Sequence, residues 1–237
     1  VTTALLRFER VGKSYRRGAG ETVPGVRDVD LEVRDGEAVG IIGPSGAGKS
    51  TLARLAIGFE RPDCGRVRFR HRDLAELGAE ELWSLRRSIQ IVWQDPAVYL
   101  SPYQSAVSSV AEPLEVFRIG SREERVRRAH DLMDLVELPP SARDRRPYEL
   151  SGGQCQRVAI ARALAPGPRL LVCDEALSSL DLSQQVRMVE LLARLRDELA
   201  LSLLFISHDR AVARALCHRL CEMKDGRLEA ADGRAPA

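Results

Sequence analysis

Apolar positions in this chain come in short runs, and the period of each run assigns it to a strand or a helix. Leu5 to Val11 alternates loosely and predicts a strand, followed by Gly12-Lys13-Ser14-Tyr15. Val26 to Val33 predicts a second strand, closed by the turn Arg34-Asp35-Gly36-Glu37. Ala38 to Ile42 reads as a short buried strand, and Thr51 to Ala56 as the first turns of a helix. A turn cluster, Gly58 to Gly65, precedes Arg66-Val67-Arg68-Phe69-Arg70, which alternates like an exposed strand. Leu82 to Arg87 predicts a short helix, and Ser88 to Trp93 a core strand that ends on Gln94-Asp95-Pro96.

From about Ala97 to Ala165 the pattern changes. Prolines at 102, 113, 139, 140 and 147 punctuate helical stretches such as Arg122 to Leu138, where Val126, Ala129, Met133 and Val136 share one face. Leu150-Ser151-Gly152-Gly153-Gln154 then opens a helix to Ala165, stopped by Pro166-Gly167-Pro168. This predicts a helical lobe inserted between two halves of an α/β core. The core resumes with the strand Leu170 to Asp174-Glu175, then Ser178-Ser179-Leu180-Asp181. Next come a helix with Val189, Leu192, Leu195 and Leu199 on its apolar side, and the buried strand Leu203 to Ile206. A last hairpin turns at Asp225-Gly226, and the tail Ala230 to Ala237 is expected to fray.

Composition narrows the class. The chain has 237 residues, 44% hydrophobic and 30% charged, which is ordinary for a globular α/β domain with a smaller lobe. No apolar run is long enough to span a bilayer, and the first ten residues lack the layout of a signal peptide, so a cytoplasmic location is expected. A net charge of +2 gives no case for nucleic acid as a partner. Five cysteines, an odd number, suit a reducing compartment. Cys217-His218-x-x-Cys221 invites a metal reading, but no second pair follows and a helix-to-strand junction is expected between the thiols.

The candidate chemistry begins at Gly43-Pro44-Ser45-Gly46-Ala47-Gly48-Lys49-Ser50-Thr51, which fits G-x-x-x-x-G-K-[ST] between a predicted strand and a predicted helix. Glycines let the loop curl so that backbone N–H groups face inward on an anion, and the helix dipole adds to the same spot. Lys49 would reach the β- and γ-phosphates of a nucleoside triphosphate, and Ser50 would ligate Mg²⁺. Asp174 at its strand end would orient Mg²⁺ through water, and Glu175 would polarise the attacking water as general base. His208, at the end of another buried strand, would hold the γ-phosphate and the water. Gln94 would reach Mg²⁺ or the water, with a neutral amide whose contact forms and breaks cheaply as the lobe moves. Tyr15 is placed to stack on adenine, or else to pack on the sheet.

Ser151-Gly152-Gly153 makes a second anion nest with a hydroxyl. One nucleotide cannot easily occupy both nests of a single chain. Two chains arranged head to tail, each nest closing over the other's ATP, resolve this, so a dimer is expected.

Leu-Ser-Gly-Gly-Gln at 150–154, about 100 residues after the phosphate loop and about 20 before Asp174-Glu175, resembles the signature motif of ABC-transporter ATPases. Tyr15, Gln94, Ser178 to Asp181 and His208 match that family's A-loop, Q-loop, D-loop and switch histidine. The resemblance covers essentially the whole chain. It implies a P-loop NTPase fold: a mixed sheet flanked by helices, N-terminal antiparallel strands and an inserted helical subdomain. Residues 1–96 and 166–237 would form the nucleotide-binding core of one domain, with 97–165 inserted. It also implies ATP and Mg²⁺ as ligands, with Ser151, Gly152, Gly153, Gln154 and Asp181 acting in trans on the partner's nucleotide.

Gln94-Asp95-Pro96 with Leu100 and Pro102, Ala111-Glu112-Pro113-Leu114, Arg146-Pro147-Tyr148-Glu149 and Ser50 to Leu55 are similar to ATPases serving dipeptide, oligopeptide and nickel importers. The second-ATPase type of nickel and peptide systems is the nearest pattern, although Ala97, Val98, Tyr99 and Ser101 depart from it. The chain ends soon after its last hairpin, so the cysteine-bearing C-terminal extension of many peptide-importer ATPases is expected to be missing. That resemblance implies a bacterial protein, peripheral on the cytoplasmic face of the membrane. Its partners would be a second ABC ATPase (a distinct chain favoured over a copy), two permeases and, indirectly, an extracytoplasmic solute-binding protein. A permease coupling helix would dock between Trp93 and about Glu115. An exporter ATPase and a non-transport ABC ATPase are the alternatives.

Overall fold

The computed structural model describes residues 4–17 and 21–231. Two long strands come first, β1 (Ala4–Arg17) and β2 (Glu21–Arg34). β3 (Ala38–Ile42) feeds α1 (Lys49–Ala56), and then β4 (Cys64–Phe69), β5 (Arg72–Asp73), α2 (Ala79–Arg86) and β6 (Ile89–Val92) follow. The helical stretch holds α3 (Pro96–Tyr99), α4 (Ala106–Val116), α5 (Arg122–Leu135) and α6 (Gly152–Leu164). The chain returns through β7 (Leu170–Asp174), α7 (Leu182–Leu199), β8 (Ser202–Ser207), α8 (Arg210–Leu216), β9 (Arg219–Lys224) and β10 (Arg227–Ala230).

These strands form two sheets. An antiparallel sheet has the order β2-β1-β4-β5, and a six-stranded sheet has the order β10-β9-β3-β8-β7-β6. In the latter β9, β3, β8, β7 and β6 run parallel, and only β10 is antiparallel. The fold is therefore α/β, a mixed sheet flanked by helices with an antiparallel N-terminal sheet. The central strands β3, β7 and β8 are buried along their whole length, which is why their sequences are continuous apolar runs rather than alternating ones.

Alternate residues of those strands enter two different cores. Val39, Ile41, Leu204 and Ile206 pack with α1 and with Leu5, Phe8 and Leu31 of the antiparallel sheet. Phe205, Leu203 and Cys173 face the other way, into a core shared with Val158 of α6, Leu192 of α7, and Val110 and Met133 of the helical stretch. Each large side chain so buried contributes about 1.5–3 kcal/mol, so the helical stretch is anchored by the same core that holds the strands.

Several expectations change in extent. β1 and β2 each run 14 residues, beyond Val11 and before Val26, because the ladder absorbs register shifts near Phe8, Val11 and Lys13 and continues. Tyr15 thus lies within β1. Pro113 does not break a helix but sits inside α4. Val126 and Leu199 lie on the right stripes but are 42% and 45% exposed. Both belong to ends of helices that overhang the packing: burial in α5 starts at Ala129, and in α7 it stops at Leu195. Cys217 closes α8 and Cys221 lies in β9, so the helix-to-strand junction does separate them. No group of three or more His, Cys, Asp or Glu side chains placed to hold a metal ion occurs among the described residues. Residues 232–237 of the expected frayed tail lie outside the described residues.

Candidate nucleotide-binding site

The loop between β3 and α1 can be built only with glycine at two places. A Cβ on Gly43 would lie 2.2 Å from the Met223 carbonyl oxygen, and one on Gly48 would lie 1.9 Å from that of Gly25. Gly48 also has φ +106, in the left-handed region. α1 starts with no acidic residue in its first turn and no side-chain cap, so its N-terminal N–H groups are available to an anion. Around Gly46 the loop is open, with nothing within 4 Å of where a Cβ would stand. Lys49, only 4% exposed, folds over this loop and donates to the carbonyls of Gly43 (2.9 Å) and Pro44 (3.0 Å).

β7 and β8 bring the acids to the same edge, with Asp174 opposite Ile206 in register. Ser50 Oγ donates to Asp174 Oδ1 at 3.3 Å, so the two candidate Mg²⁺ residues are already adjacent. Burial pushes the Asp174 carboxyl up, against the hydrogen bond from Ser50. Glu175 leaves the strand at φ +50, a conformation that costs a non-glycine residue roughly 1–2 kcal/mol. Its carboxylate bridges two basic side chains: Oε1 is 3.2 Å from Lys49 Nζ and Oε2 is 2.8 Å from His208 Nδ1. Burial acts to raise the Glu175 carboxyl, but the bonds from His208 and Lys49 prevail and hold it below the usual range. Lys49, Ser50, Asp174, Glu175 and His208, spread over 160 residues, form one cluster at the C-terminal ends of β3, β7 and β8.

The remaining candidates lie around this cluster. The Tyr15 hydroxyl is 3.3 Å from Thr51 Oγ1 and donates to Glu60. Burial, and then the bond to Glu60, raise its phenol pKa. Glu60 carried no signal in the sequence, since it stands in a turn cluster. Gln94 is exposed two residues beyond β6, and no hydrogen bond joins it to Ser50 or Asp174 among the described residues. Ser151 caps α6: its Oγ accepts from Gln154 N–H (3.3 Å), while Gln154 Oε1 accepts from Ser151 N–H (3.0 Å). Gly152 faces open space, and Gly153 packs against Gln184 of α7. Asp181 caps α7 through Gln184 N–H. None of the hydrogen bonds or ion pairs of the Lys49–Glu175 cluster involves Ser151, Gly152, Gly153, Gln154 or Asp181 among the described residues.

A groove of about 340 Å³ opens between α2, β6 and helices α3, α4 and α6. Its wall includes Phe59, Trp93, Tyr99, Val116 and Phe117, with Arg86 and the Arg162–Glu112 ion pair as its charges. Trp93 and Tyr99 stack at 5.6 Å, Val98 beside Tyr99 in the sequence is 72% exposed, and Phe59 of the groove wall is 68% exposed. Trp83 and Phe117, which contact each other, and Phe59 were not singled out from the sequence, because a lone exposed aromatic in a turn or short helix has no periodic signal.

Comparison with known proteins agrees with this geometry. A protein-family model described as "ABC transporter" matches residues 26–178. A Brucella abortus protein named as a peptide import ATP-binding protein is 45% identical over 204 residues, covering 86% of this chain and 61% of the relative. A Sinorhizobium fredii protein named as a peptide ABC transporter ATP-binding protein is 43% identical over 234 residues, covering 96% of this chain and 66% of the relative. This chain thus spans less than two thirds of the length of both. Among solved structures, a dimeric ATP-binding cassette in a post-hydrolysis state with ADP and Pi is similar at TM-score 0.87 and 34% identity. The match covers 97% of this chain and all of that one. A Clostridium perfringens chain described as part of the ABC transporter complex cbiONQ is similar at TM-score 0.83 and 27% identity, over 95% of this chain and 87% of that one. The chain belongs to the ABC transporter family, as its ATP-binding domain.

Proposed function

We propose that this chain hydrolyses ATP as the cytoplasmic subunit of a peptide importer. The observation that carries the reading is the convergence of Lys49, Ser50, Asp174, Glu175 and His208 beside an anion-accepting loop. The phosphates enter the nest of residues 43–51, where Lys49 exchanges the carbonyls of Gly43 and Pro44 for phosphate oxygens. Tyr15 packs on the base, and its hydroxyl leaves Thr51 as it does so. Ser50, Asp174 and Gln94 would hold Mg²⁺, which would neutralise developing phosphate charge. The pairing of Ser50 with Asp174, an oxygen-only donor set, fits such a hard cation. Glu175 activates the attacking water, and His208 fixes its carboxylate and the γ-phosphate.

Two chains complete the reaction. Ser151, Gly152, Gly153 and Gln154, with Asp181, close over the nucleotide of the opposing chain, and we favour a related but distinct ATPase as that partner. The groove beside Trp93 receives a coupling helix from one permease, so residues 97–165 work as a lobe that links nucleotide state to the membrane. A solute-binding protein delivers the cargo outside. The names of the relatives support peptide as cargo; nickel has only the residue resemblance behind it. The purified chain, mixed with Mg-ATP, tests the reading. Slow ATP hydrolysis, raised by co-expression with its neighbouring ATPase and permeases, is the expected result. No nucleotide binding in either preparation would overturn it.

A further inference from the structure

Glu175 must hold a backbone conformation that a side-chain-bearing residue rarely adopts, with φ +50, at the point where its carboxylate has to be aimed. Such a conformation persists only where the surroundings over-determine it. Three groups do so here. The Glu175 N–H donates to the Ile206 carbonyl at 2.9 Å, which continues the β7–β8 ladder by one residue. Its own carbonyl accepts twice from one residue, from Ser178 N–H at 3.1 Å and from Ser178 Oγ at 2.9 Å. Two residues on, the Leu177 carbonyl accepts from Gln185 Nε2 at 3.1 Å, which ties the same loop to the first turn of α7.

The backbone N–H of Ser178 already closes this turn. The hydroxyl bond duplicates it on the same oxygen, and so restrains the direction of the Glu175 carbonyl rather than the existence of the turn. That direction is coupled through the Glu175 dihedrals to where the carboxylate points, toward Lys49 Nζ and His208 Nδ1. Ala176 and Leu177 between them are buried, so the loop has no slack on its inner side.

We infer that Ser178, backed by Gln185, is a positioning residue for hydrolysis: it holds the Glu175 backbone so that the carboxylate meets the attacking water. The inference rests on Glu175 being the general base. It assigns Ser178 a role within its own chain's site, whatever its loop touches across a dimer.

The test is steady-state hydrolysis of Mg-ATP by the assembled ATPase, with kcat and KM separated. Ser178→Ala lowers kcat about tenfold to a hundredfold, the effect of a misplaced reacting group, with KM changed less than about twofold. Ser178→Thr keeps the hydroxyl and restores most of kcat. Gln185→Glu keeps the length but loses the donor and lowers kcat by a smaller factor. In a Glu175→Gln background Ser178→Ala has little further effect, because both act through one group. If Glu175→Gln itself turns over normally, the base assignment fails and this inference with it. If Glu175→Gln collapses while Ser178→Ala keeps wild-type kcat, only the positioning role is overturned. A loss that Ser178→Thr does not restore, or that is undiminished in the Glu175→Gln background, overturns it as well.

Discussion

His208 Nδ1 lies 2.8 Å from Glu175 Oε2, a bond made between the ends of two neighbouring parallel strands. The imidazole is 57% exposed at its side chain, while the carboxylate is 17% exposed, so the histidine comes to the acid from the open side. Removing it leaves Glu175 with Lys49 alone and frees the carboxylate to follow the lysine. His208→Ala should therefore lower kcat by about 10²–10³-fold, within the range for a lost proton-handling group. The affinity for ATP should change only a few-fold. Nucleotide titration beside single-turnover hydrolysis separates the two effects, and equal losses in both would place His208 in binding instead.

Lys49 has the opposite signature. Its ammonium is buried and has three acceptors, Gly43 O, Pro44 O and Glu175 Oε1, which phosphate oxygens would replace. Lys49→Ala should cost roughly 1.5–3 kcal/mol of nucleotide binding, the worth of hydrogen bonds to charged groups, or about ten- to a hundredfold in Kd. Equilibrium titration with a fluorescent ATP analogue reads this directly. Unchanged affinity would mean that the lysine does not reach the phosphates.

Asp174 carries a carboxyl whose charge the fold opposes. Burial raises its folded pKa above the unfolded value, so at pH 7 the fold penalises its charge. That penalty fades as pH falls through the folded pKa and is gone below the unfolded one. Asp174→Asn keeps an acceptor for Ser50 without the charge. It should raise the thermal midpoint at pH 7 by about 2–4 °C, the shift that roughly 1 kcal/mol gives in a chain of this size. The gain should shrink in acid, and Mg-ATP should stabilise the variant less than the wild type. A lower midpoint at pH 7 would contradict the burial argument.

Much of this site was legible in the sequence because its residues stand at ends of apolar runs. Asp174 ends a buried strand and Glu175 and His208 directly follow one, and because these strands run parallel their ends share one edge of the sheet. The tight loop of residues 43–51 was legible because its glycines are steric necessities, with a carbonyl packed where each Cβ of Gly43 and Gly48 would be. What could not be read was set by partners distant in sequence. Glu60 meets Tyr15, 45 residues away in the sequence, only once β1 lies beside the end of α1. The length of β1 and β2 was under-read because register shifts let a ladder pass residues that interrupt alternation. Val126 and Leu199 were misjudged because periodicity gives the angle of a buried stripe and not how far the neighbouring elements extend.

The groove makes a prediction about partners. Val98 stands 72% exposed on α3, beside the stacked Trp93 and Tyr99. A cysteine placed at Val98, in a complex with its permeases, should crosslink to a short cytoplasmic helix of a permease. Phe59→Ala should weaken stimulation by the permeases by a few-fold, as losing one aromatic anchor does, while the isolated chain keeps its basal rate. Crosslinks confined to other surfaces would count against the groove as the docking site.

The central claim is that the Glu175 carboxylate, poised between Lys49 and His208, drives hydrolysis in a site completed by a second chain. The most direct measurement is ATP turnover together with the oligomeric state of Glu175→Gln, co-expressed with its partner ATPase; the substitution keeps the side chain's shape and removes its charge and its capacity to take a proton. The account predicts that turnover falls by at least about 10²-fold while ATP still binds, and that an ATP-bound dimer accumulates in sedimentation or size-exclusion runs. A variant that hydrolyses ATP at close to the wild-type rate, with no ATP-dependent dimer, would contradict it.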